Sequence, residues 1–229
     1  MVGLHEQQRA EIAKMFEWKY PRGLGDNPLR TCVDQLNTAV PLAGMHICEP
    51  GCHTGNVTVD LAKLGAVVDA SDPRPKNLVQ AFARAVYEDV TDFCEFRLGT
   101  ADQVEAPVES YDLLWHSGLF YHLENPVQHF HALTGKYPRV FLEGHVIARD
   151  RPVCSNFGPP TDLDGYAGHW WRGEGDWNCG LSGLQRKSFW LYRDEMLRLC
   201  HDCGWQVREL SWEPLFSISP RMGLLLTAG

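Results

Sequence analysis

The feature that most constrains the fold is a regular alternation of short apolar runs with amphipathic segments between about residues 45 and 147. The runs have the length and β-branched content of buried strands, and the segments between them repeat apolar residues at helical spacing. Such alternation predicts a parallel sheet with helices on both faces. Two late runs, WQVREL and MGLLLTAG, predict a closing strand pair with an antiparallel last strand. The predicted class is α/β, a doubly wound sheet of seven strands.

Composition divides the chain into four predicted parts. Residues 1–34 hold an amphipathic helix over residues 4–18 and a loop, and residues 35–148 hold the alternating core. Residues 149–190 are rich in glycine, proline, tryptophan and aspartate without a clear period, which predicts an irregular, aromatic-rich lid insertion. Residues 191–229 return to a helix and the closing strands of the same domain.

The stretch from His46 to Pro73 has the outline of a nucleotide-type cofactor site. An apolar run enters the turn Glu49-Pro50-Gly51-Cys52-His53-Thr54-Gly55, a helix follows, and a second apolar run ends at Asp72. A dinucleotide fingerprint has a middle glycine that lets the backbone approach the phosphates, and His53 occupies that place. Gly51 still brings the backbone close to a ligand, and Gly55 lets the helix begin tightly against the strand.

Two carboxylates in this stretch indicate what the turn binds. Asp72 lies 21 residues after Gly51, a distance at which an acid accepts hydrogen bonds from ribose hydroxyls. Glu49 places a negative charge beside the turn, which suits a positively charged amino group better than a diphosphate. A ligand with a ribose and a cation satisfies both demands, and S-adenosylmethionine is such a ligand.

At these residues the chain resembles the class I S-adenosylmethionine-dependent methyltransferases, which have a Rossmann-like fold. The resemblance extends over about residues 35–147 in four ordered elements, CEPGCHTGN, VVDASDPRPKNL, RLGTADQV and YDLLWHSGLFYHLENP. One departure is Thr100, where many relatives carry an acid. The resemblance implies that Asp72 contacts the ribose and that Ala101 and Asp102 lie beside the adenine. The N-terminal segment is expected to fold over the cofactor. The full set of expected cofactor-binding residues is Glu49, Gly51, Cys52, His53, Gly55, Asp72, Pro73, Asn77, Ala101, Asp102, His116, Ser117, Tyr20 and Arg22.

The kind of molecule that accepts the methyl group depends on the branch of the family to which the chain is similar. The stretch from Ser117 to Pro126 and the later aromatic segment resemble a branch with wobble-uridine tRNA methyltransferases and bacterial small-molecule methyltransferases. A formal net charge of −8 with only thin basic clusters argues against a nucleic-acid partner and favours a small metabolite, methylated at oxygen or nitrogen. A tRNA-modifying enzyme is the alternative, followed by a non-catalytic scaffold with this fold. An NAD-dependent dehydrogenase fits less well, because of Glu49 and His53.

Methyl transfer needs alignment of the reacting atoms and, for a protonated nucleophile, a base. Candidate catalytic groups therefore follow the fourth and fifth predicted strands, where open sheets bind ligands. These candidates are His116, His122, Glu143 and His145. The alternative for each histidine is a purely structural role. For His116 a further alternative is a contact with the cofactor through its backbone only. No spacing demands a metal ion, so no metal is expected.

Aromatic side chains concentrate in and after the predicted lid, where they would cover an acceptor or form the lid's own small core. The expected acceptor-binding residues are Tyr121, Tyr166, His169, Trp170, Trp171, Arg172 and Trp190. The Cys200-x-x-Cys203 pair is interpreted as buried helix residues rather than a redox or metal motif. With no apolar run of membrane-spanning length and no secretory signal, we expect a cytoplasmic protein, and a homodimer stays open.

Overall fold

The structure is a computed structural model of the chain and describes residues 6–17, 28–101, 111–179, 182–213 and 219–229. The chain divides into two compact units, Met1–Ala106 and Pro107–Gly229. Seven strands form one sheet, in the order β3 (Cys94–Leu98), β2 (Val67–Asp72), β1 (His46–Pro50), β4 (Leu113–Ser117), β5 (Arg139–His145), β10 (Arg221–Ala228) and β9 (Trp205–Glu213). The predicted α/β class, with seven strands and an antiparallel last strand, is therefore confirmed.

The first unit contains three parallel strands. The pairing of β1 with β2 begins at His46 and Val67, and the pairing of β2 with β3 begins at Val68 and Cys94. Its core lies between the helices and the strands, where Val59 of one helix packs near Ala85 of another. The elements are α1 (Glu6–Met15), α2 (Pro28–Ala39), β1 (His46–Pro50), α3 (Asn56–Lys63), β2 (Val67–Asp72), α4 (Pro75–Tyr87) and β3 (Cys94–Leu98).

The second unit contains the other four strands of this sheet and a separate small sheet. Strand β4 is parallel to β5, whereas β10 is antiparallel to both β5 and β9. Trp115 and Phe141 stack with ring centroids 4.2 Å apart in its buried core. The elements are β4 (Leu113–Ser117), α5 (Pro126–Leu133), β5 (Arg139–His145), β6 (Phe157–Leu163), β7 (Tyr166–Trp171), β8 (Ser188–Leu191), α6 (Arg193–Asp202), β9 (Trp205–Glu213) and β10 (Arg221–Ala228).

The segment predicted to be irregular contains regular structure. Strands β6, β7 and β8 form a three-stranded antiparallel sheet in sequence order. The β6–β7 hairpin turns at Asp164 and Gly165, which have φ values of 53° and 89°. An Asp-Gly pair is the sequence signal for such a two-residue turn. Strand β6 was predicted as a loop because it contains Pro159 and Pro160, and proline is found in sheets only at edge strands and bulges.

Helix α2 was also not predicted from the sequence. Its buried residues Cys32, Val33 and Leu36 recur at helical spacing, and Pro28 occupies the first position, where proline is favoured. The predicted first helix is present over Glu6–Met15, but it buries no residue, and Met15 is 68% exposed. Across the described ranges, no helix is long and apolar enough to cross a membrane.

Candidate active site

The turn after β1 is held against the end of β2 by its backbone. The N–H groups of Gly51 and Cys52 both donate to the carbonyl oxygen of Ser71, at 2.7 and 2.9 Å. Gly51, His53 and Gly55 all have left-handed backbones, with φ values of 74°, 52° and 74°. His53 therefore adopts the conformation that a glycine at its place would adopt without strain.

Gly55 is required by packing as well as by conformation. A Cβ atom built on it would lie 2.8 Å from both Cα and Cβ of Ala81 in α4. Helix α3 therefore begins in direct contact with α4, whereas the sequence predicted a tight approach to the strand. Consequently the first turn of α3 is fixed by both its neighbouring strand and its neighbouring helix.

Asp72 anchors this turn from the end of β2. One carboxylate oxygen accepts from the backbone N–H of Arg74 at 2.8 Å and from the Asn77 side chain at 3.0 Å, and the other accepts from the N–H of His53 at 3.1 Å. Burial raises the pKa of Asp72, and these hydrogen bonds oppose the rise. A carboxylate offers about four acceptor positions, so capacity for a ligand hydroxyl is left.

Glu49, at the end of β1, is a buried carboxyl group whose Oε2 accepts a hydrogen bond from Thr58 Oγ1 at 2.6 Å. Burial raises its pKa to about 8, and the nearby Asp72 charge adds to the rise although the Thr58 bond lowers it. An acid in this state would ionise readily beside a ligand cation, because an adjacent positive charge favours the carboxylate.

Sequence reasoning missed Arg84, which lies on α4 and is 2% exposed. Its Nε donates to the carbonyl oxygen of Thr54 at 3.0 Å and so fixes the turn from the helix side. Burial lowers the pKa of Arg84 to about 10, and Glu88 and Asp60 oppose that effect. Burial lowers the pKa of His53 as well, so a neutral imidazole is favoured.

The other expected cofactor residues are distributed as follows. Pro73 directly follows Asp72, Asn77 is buried against it, and Cys52 is buried in the turn. Ala101 is half-buried beyond β3, where Gly99 N–H donates to the carbonyl oxygen of Asp72. Tyr20, Arg22 and Asp102 lie outside the described residues, so their roles stay predictions.

The second unit contains a buried ion pair at the end of β5. Arg221 of β10 donates from Nε and Nη2 to the two carboxylate oxygens of Glu143, at 2.6 and 2.7 Å. Ser117 Oγ donates to the same carboxylate at 2.7 Å. Burial lowers the pKa of Arg221, but Glu143 more than offsets this and raises it. Sequence reasoning missed Arg221, because it lies 78 residues from Glu143 in the chain.

His145 lies beside this ion pair. Its Nε2 accepts from Arg221 Nη1 at 3.1 Å, and its Nδ1 lies 2.8 Å from Ser219 Oγ. Burial and then the Arg221 charge lower the pKa of His145 to about 4. The imidazole is therefore neutral near pH 7, and the lone pair that would take a proton is already engaged by the guanidinium.

His122 has a different environment. Its Nδ1 lies 2.8 Å from Glu174 Oε1, and its side chain is 18% exposed. Glu174 also accepts hydrogen bonds from Ser182 Oγ, Ser188 Oγ and, at short range, the backbone N–H of Gly183. Burial raises the pKa of Glu174, but the His122 bond and these donors together lower it, so the carboxylate form is favoured. Glu174 was not predicted, because its contact with His122 spans 52 residues.

Tyr121 connects the histidines with the aromatic residues of the small sheet. Its ring centroid lies 4.3 Å from that of His122, 4.9 Å from that of His145 and 5.0 Å from that of Trp190. Burial raises its pKa to about 12, although Arg221 lowers it, so the phenol is neutral. Gly144 makes room for this ring, because a Cβ there would lie 2.8 Å from Tyr121 Cδ1.

Within the second unit, the described contacts of the His116 side chain are not with Tyr121, His122 or His145. It is fully buried between β4 and α5, with its Nε2 2.9 Å from Nε2 of His129 and its ring beside that of Phe130. Burial and then His129 lower its pKa well below the usual value. A side chain in this place serves the packing of α5, whereas its backbone remains part of β4.

The expected acceptor residues lie on two faces of the small sheet. His169, Trp171 and Trp190 share one face, on which Trp171 and Trp190 lie 5.6 Å apart and both contact Phe157. His169 uses both ring nitrogens internally, with Gly158 O at 2.7 Å and Tyr192 Oη at 2.8 Å. Tyr166 and Trp170 alternate with these residues along β7, and Tyr166 Oη donates to Asp202. Arg172 is exposed just after β7.

The cysteines Cys200 and Cys203 are buried near the end of α6, as the sequence interpretation requires. Among the described residues, no group of three or more His, Cys, Asp or Glu side chains is arranged to hold a metal ion.

Part of the chain is similar in sequence to known proteins. Residues 48–135 match a family model described as a methyltransferase domain. The ubiquinone biosynthesis O-methyltransferase of Agrobacterium fabrum is 31% identical over 85 residues, which are 37% of this chain and 33% of that protein. The aligned part therefore spans about a third of the length of this curated relative.

Solved structures resemble the chain over a greater length. The N-terminal domain of EvdMO1, crystallised in the presence of S-adenosylhomocysteine and D-fucose, has a TM-score of 0.73 at 17% identity and covers 99% of this chain and 98% of its own. Magnesium protoporphyrin IX methyltransferase from Synechocystis has a TM-score of 0.59 at 15% identity. The match covers 100% of this chain and 87% of that protein. These likenesses confirm the Rossmann-like fold, and the sequence matches confirm the resemblance to class I methyltransferases.

Proposed function

We infer that this chain, which carries a methyltransferase domain, transfers the methyl group of S-adenosylmethionine to a hydroxyl or amine of a small metabolite. The observation that carries the inference is the β1–α3 turn, where Asp72 and Glu49 place two buried carboxyl groups at the ends of neighbouring parallel strands. The cofactor itself supplies the reactive sulfonium. The protein has to hold the cofactor, align the acceptor atom with the methyl group, and remove a proton from the acceptor.

The first unit supplies the groups that would hold the cofactor. Asp72 retains acceptor capacity for ribose hydroxyls, and Glu49 is an acid that a ligand cation would ionise. Gly51, with its left-handed backbone, lets a ligand approach the turn without a side chain in the way. Solved structural neighbours with bound S-adenosylhomocysteine or S-adenosylmethionine support the same assignment.

Among the candidate bases, the environment of His122 suits the role best. Its Nδ1 is paired with the Glu174 carboxylate, and no described residue makes a hydrogen bond to its Nε2. By contrast, His145 already accepts from Arg221, both nitrogens of His169 are engaged, and His116 is enclosed by α5. We therefore assign proton removal from the acceptor to His122, with Glu143, His145 and Ser117 forming a supporting polar group.

The acceptor is a small molecule with a planar or ring-shaped apolar part. Trp190 and Tyr121 are buried and pack on each other in the unit that holds His122, and the half-buried Trp171 packs on Trp190. Aromatic rings bind such groups through dispersion and quadrupole interactions, and the accessible part of Trp171 is the ring surface that we assign to the acceptor. The net charge of −8 and the matches to O-methyltransferases favour a metabolite hydroxyl over a nucleic acid. The lid assignment of residues 149–190 stays part of this proposal.

The proposal is tested in two steps. Calorimetric titration with S-adenosylhomocysteine should give micromolar binding, and absence of binding would remove the enzyme assignment and favour a scaffold. Radiolabelled S-adenosylmethionine is then supplied with a panel of phenols, deoxy sugars and small amines, and with bulk tRNA as the competing acceptor class. Label in tRNA alone would contradict the small-molecule assignment.

Once an acceptor is found, two histidine variants distinguish the bases. H122N should lower kcat by about 100-fold or more, the usual contribution of a general base, without changing S-adenosylhomocysteine binding. H145N should affect kcat much less. Equal losses in both variants would contradict the choice of His122.

A further inference from the structure

We propose that Glu174 is the positioning residue for His122, fixing the imidazole as the Nδ1–H tautomer so that Nε2 presents its lone pair. This inference rests on the proposed function, because the purpose of that lone pair is to take a proton from the acceptor. It concerns a residue that no motif in the sequence indicated.

The contact itself determines the tautomer. An ionised carboxylate can only accept hydrogen bonds, so at 2.8 Å the Nδ1 of His122 has to donate to Glu174 Oε1. In a neutral imidazole the other nitrogen is then the acceptor. The ionised state of Glu174 is supported by its lowered pKa, for which burial is outweighed by His122 and the surrounding donors.

Glu174 is itself held from several sides. Oε2 accepts from the backbone N–H of Gly183 and from Ser182 Oγ, while Oε1 accepts from Ser188 Oγ at 3.0 Å. The side chain of Glu174 is only 2% exposed. A Cβ on Gly183 would lie 2.6 Å from the carbonyl oxygen of His122 and 3.0 Å from Glu174 Oε2, so the three residues are in close contact.

This arrangement makes glutamine an informative replacement. Glutamine has the shape of glutamate but one acceptor oxygen and one donor NH₂ group. The backbone N–H of Gly183 is a fixed donor and will select the oxygen, whereas serine hydroxyls rotate to suit either group. The NH₂ group of E174Q then faces His122 Nδ1, which has to become the acceptor. The proton moves to Nε2, and the imidazole no longer has a lone pair there.

The tautomer can be read by ¹⁵N NMR of protein labelled at histidine nitrogens, without any acceptor. H122N identifies the resonances of His122 by their disappearance. We expect Nδ1–H in the wild-type protein and Nε2–H in E174Q, while the signals of His169 stay unchanged as an internal reference. The matched control is S182A, which removes one donor to Glu174 but leaves the contact to His122, and which should keep the Nδ1–H form.

Two results would overturn the inference: an Nε2–H tautomer in the wild-type protein, which needs no variant to observe, or an unchanged tautomer in folded E174Q. Once an acceptor is known, E174Q should lower kcat at least about tenfold, because a general base usually contributes at least that much to the rate. Binding of S-adenosylhomocysteine should be equal in E174Q and wild type. Loss of that binding in both would instead point to failure of the proposed function, whatever the tautomer.

Discussion

Asp72 accepts a hydrogen bond from the backbone N–H of His53, with the donor and acceptor atoms 3.1 Å apart. The end of one strand is thereby tied to the only non-glycine residue with a positive φ in the turn that follows the neighbouring strand. The same carboxylate that is expected to meet the ribose thus also supports the backbone shape of the turn.

Replacing Asp72 should therefore remove cofactor binding through two effects. D72A deletes the ribose acceptor and the bonds to His53, Arg74 and Asn77, and we expect the Kd for S-adenosylhomocysteine to rise at least about tenfold, equivalent to about 1.4 kcal/mol. Calorimetric titration measures the change. The control is D69N on the same strand, whose partners are the partly exposed side chains of His46 and Arg97. Equal binding by D72A and wild type would contradict the assigned role.

Gly55 and Gly44 offer a matched test of the contact between α3 and α4. Both have a positive φ, but a Cβ on Gly44 meets nothing within 4 Å, whereas one on Gly55 lies 2.8 Å from Ala81. G44A should cost about 1–2 kcal/mol from the left-handed backbone alone. G55A should cost about 1–3 kcal/mol more, because it overpacks the helix contact. Urea denaturation gives both values, and similar losses would show that the close approach is unimportant.

The raised pKa of Glu49 predicts a pH dependence of stability. The pKa of Glu49 is about 8 in the folded protein and about 4.5, its ordinary value, in the unfolded chain, so between these pH values the folded protein binds more protons. The free energy of unfolding should therefore fall as pH rises from about 4.5 to 8, by at most about 1.4 kcal/mol per pH unit for this one group.

E49Q should remove this part of the pH dependence. Glutamine stays neutral at every pH, so E49Q should be more stable than wild type near pH 9 and similar to it near pH 5. Denaturant midpoints over that range measure the difference. E95Q, at an exposed position paired with Arg97, is the control and should follow the wild-type curve. Parallel curves for E49Q and wild type would contradict the buried, protonated state.

The ion pair of Arg221 and Glu143 predicts a non-additive double variant. R221M leaves a carboxylate buried without its cation and should cost about 3–5 kcal/mol. R221M/E143Q leaves no charge and should be more stable than R221M alone. As a comparison, R149M breaks an exposed pair with Asp194 and should cost about 1 kcal/mol or less. A double variant less stable than R221M would contradict this account.

The sequence predicted the residues that the chain places next to one another, and it missed those that only the fold brings together. The β1–α3 turn and Asp72 follow from local chemistry, because glycines, strand ends and acids leave signals within one βαβ unit. Arg84, Glu174 and Arg221 leave no such signal, since each becomes a partner only after distant elements have packed. His116 illustrates the converse, because a position near the end of a strand does not reveal which side of the sheet its ring faces.

Two elements that were not predicted do carry local signals in the sequence. Helix α2 has its proline at the first position and buried residues at helical spacing, and the β6–β7 hairpin has Asp164-Gly165. Both were hidden by neighbouring glycines and prolines, which usually mark loops. The four-part division of the chain stays a prediction.

The strand order in the second unit also affects the protein while it is being made. β5 pairs with β10, and Glu143 leaves the ribosome 78 residues before Arg221. At about 5–20 residues per second, that separation corresponds to a delay of about 4–16 s. During this interval one edge of β5 lacks its final neighbour and a carboxylate lacks its cation. A nascent chain paused in this window should be the form that chaperones bind and that proteases cut.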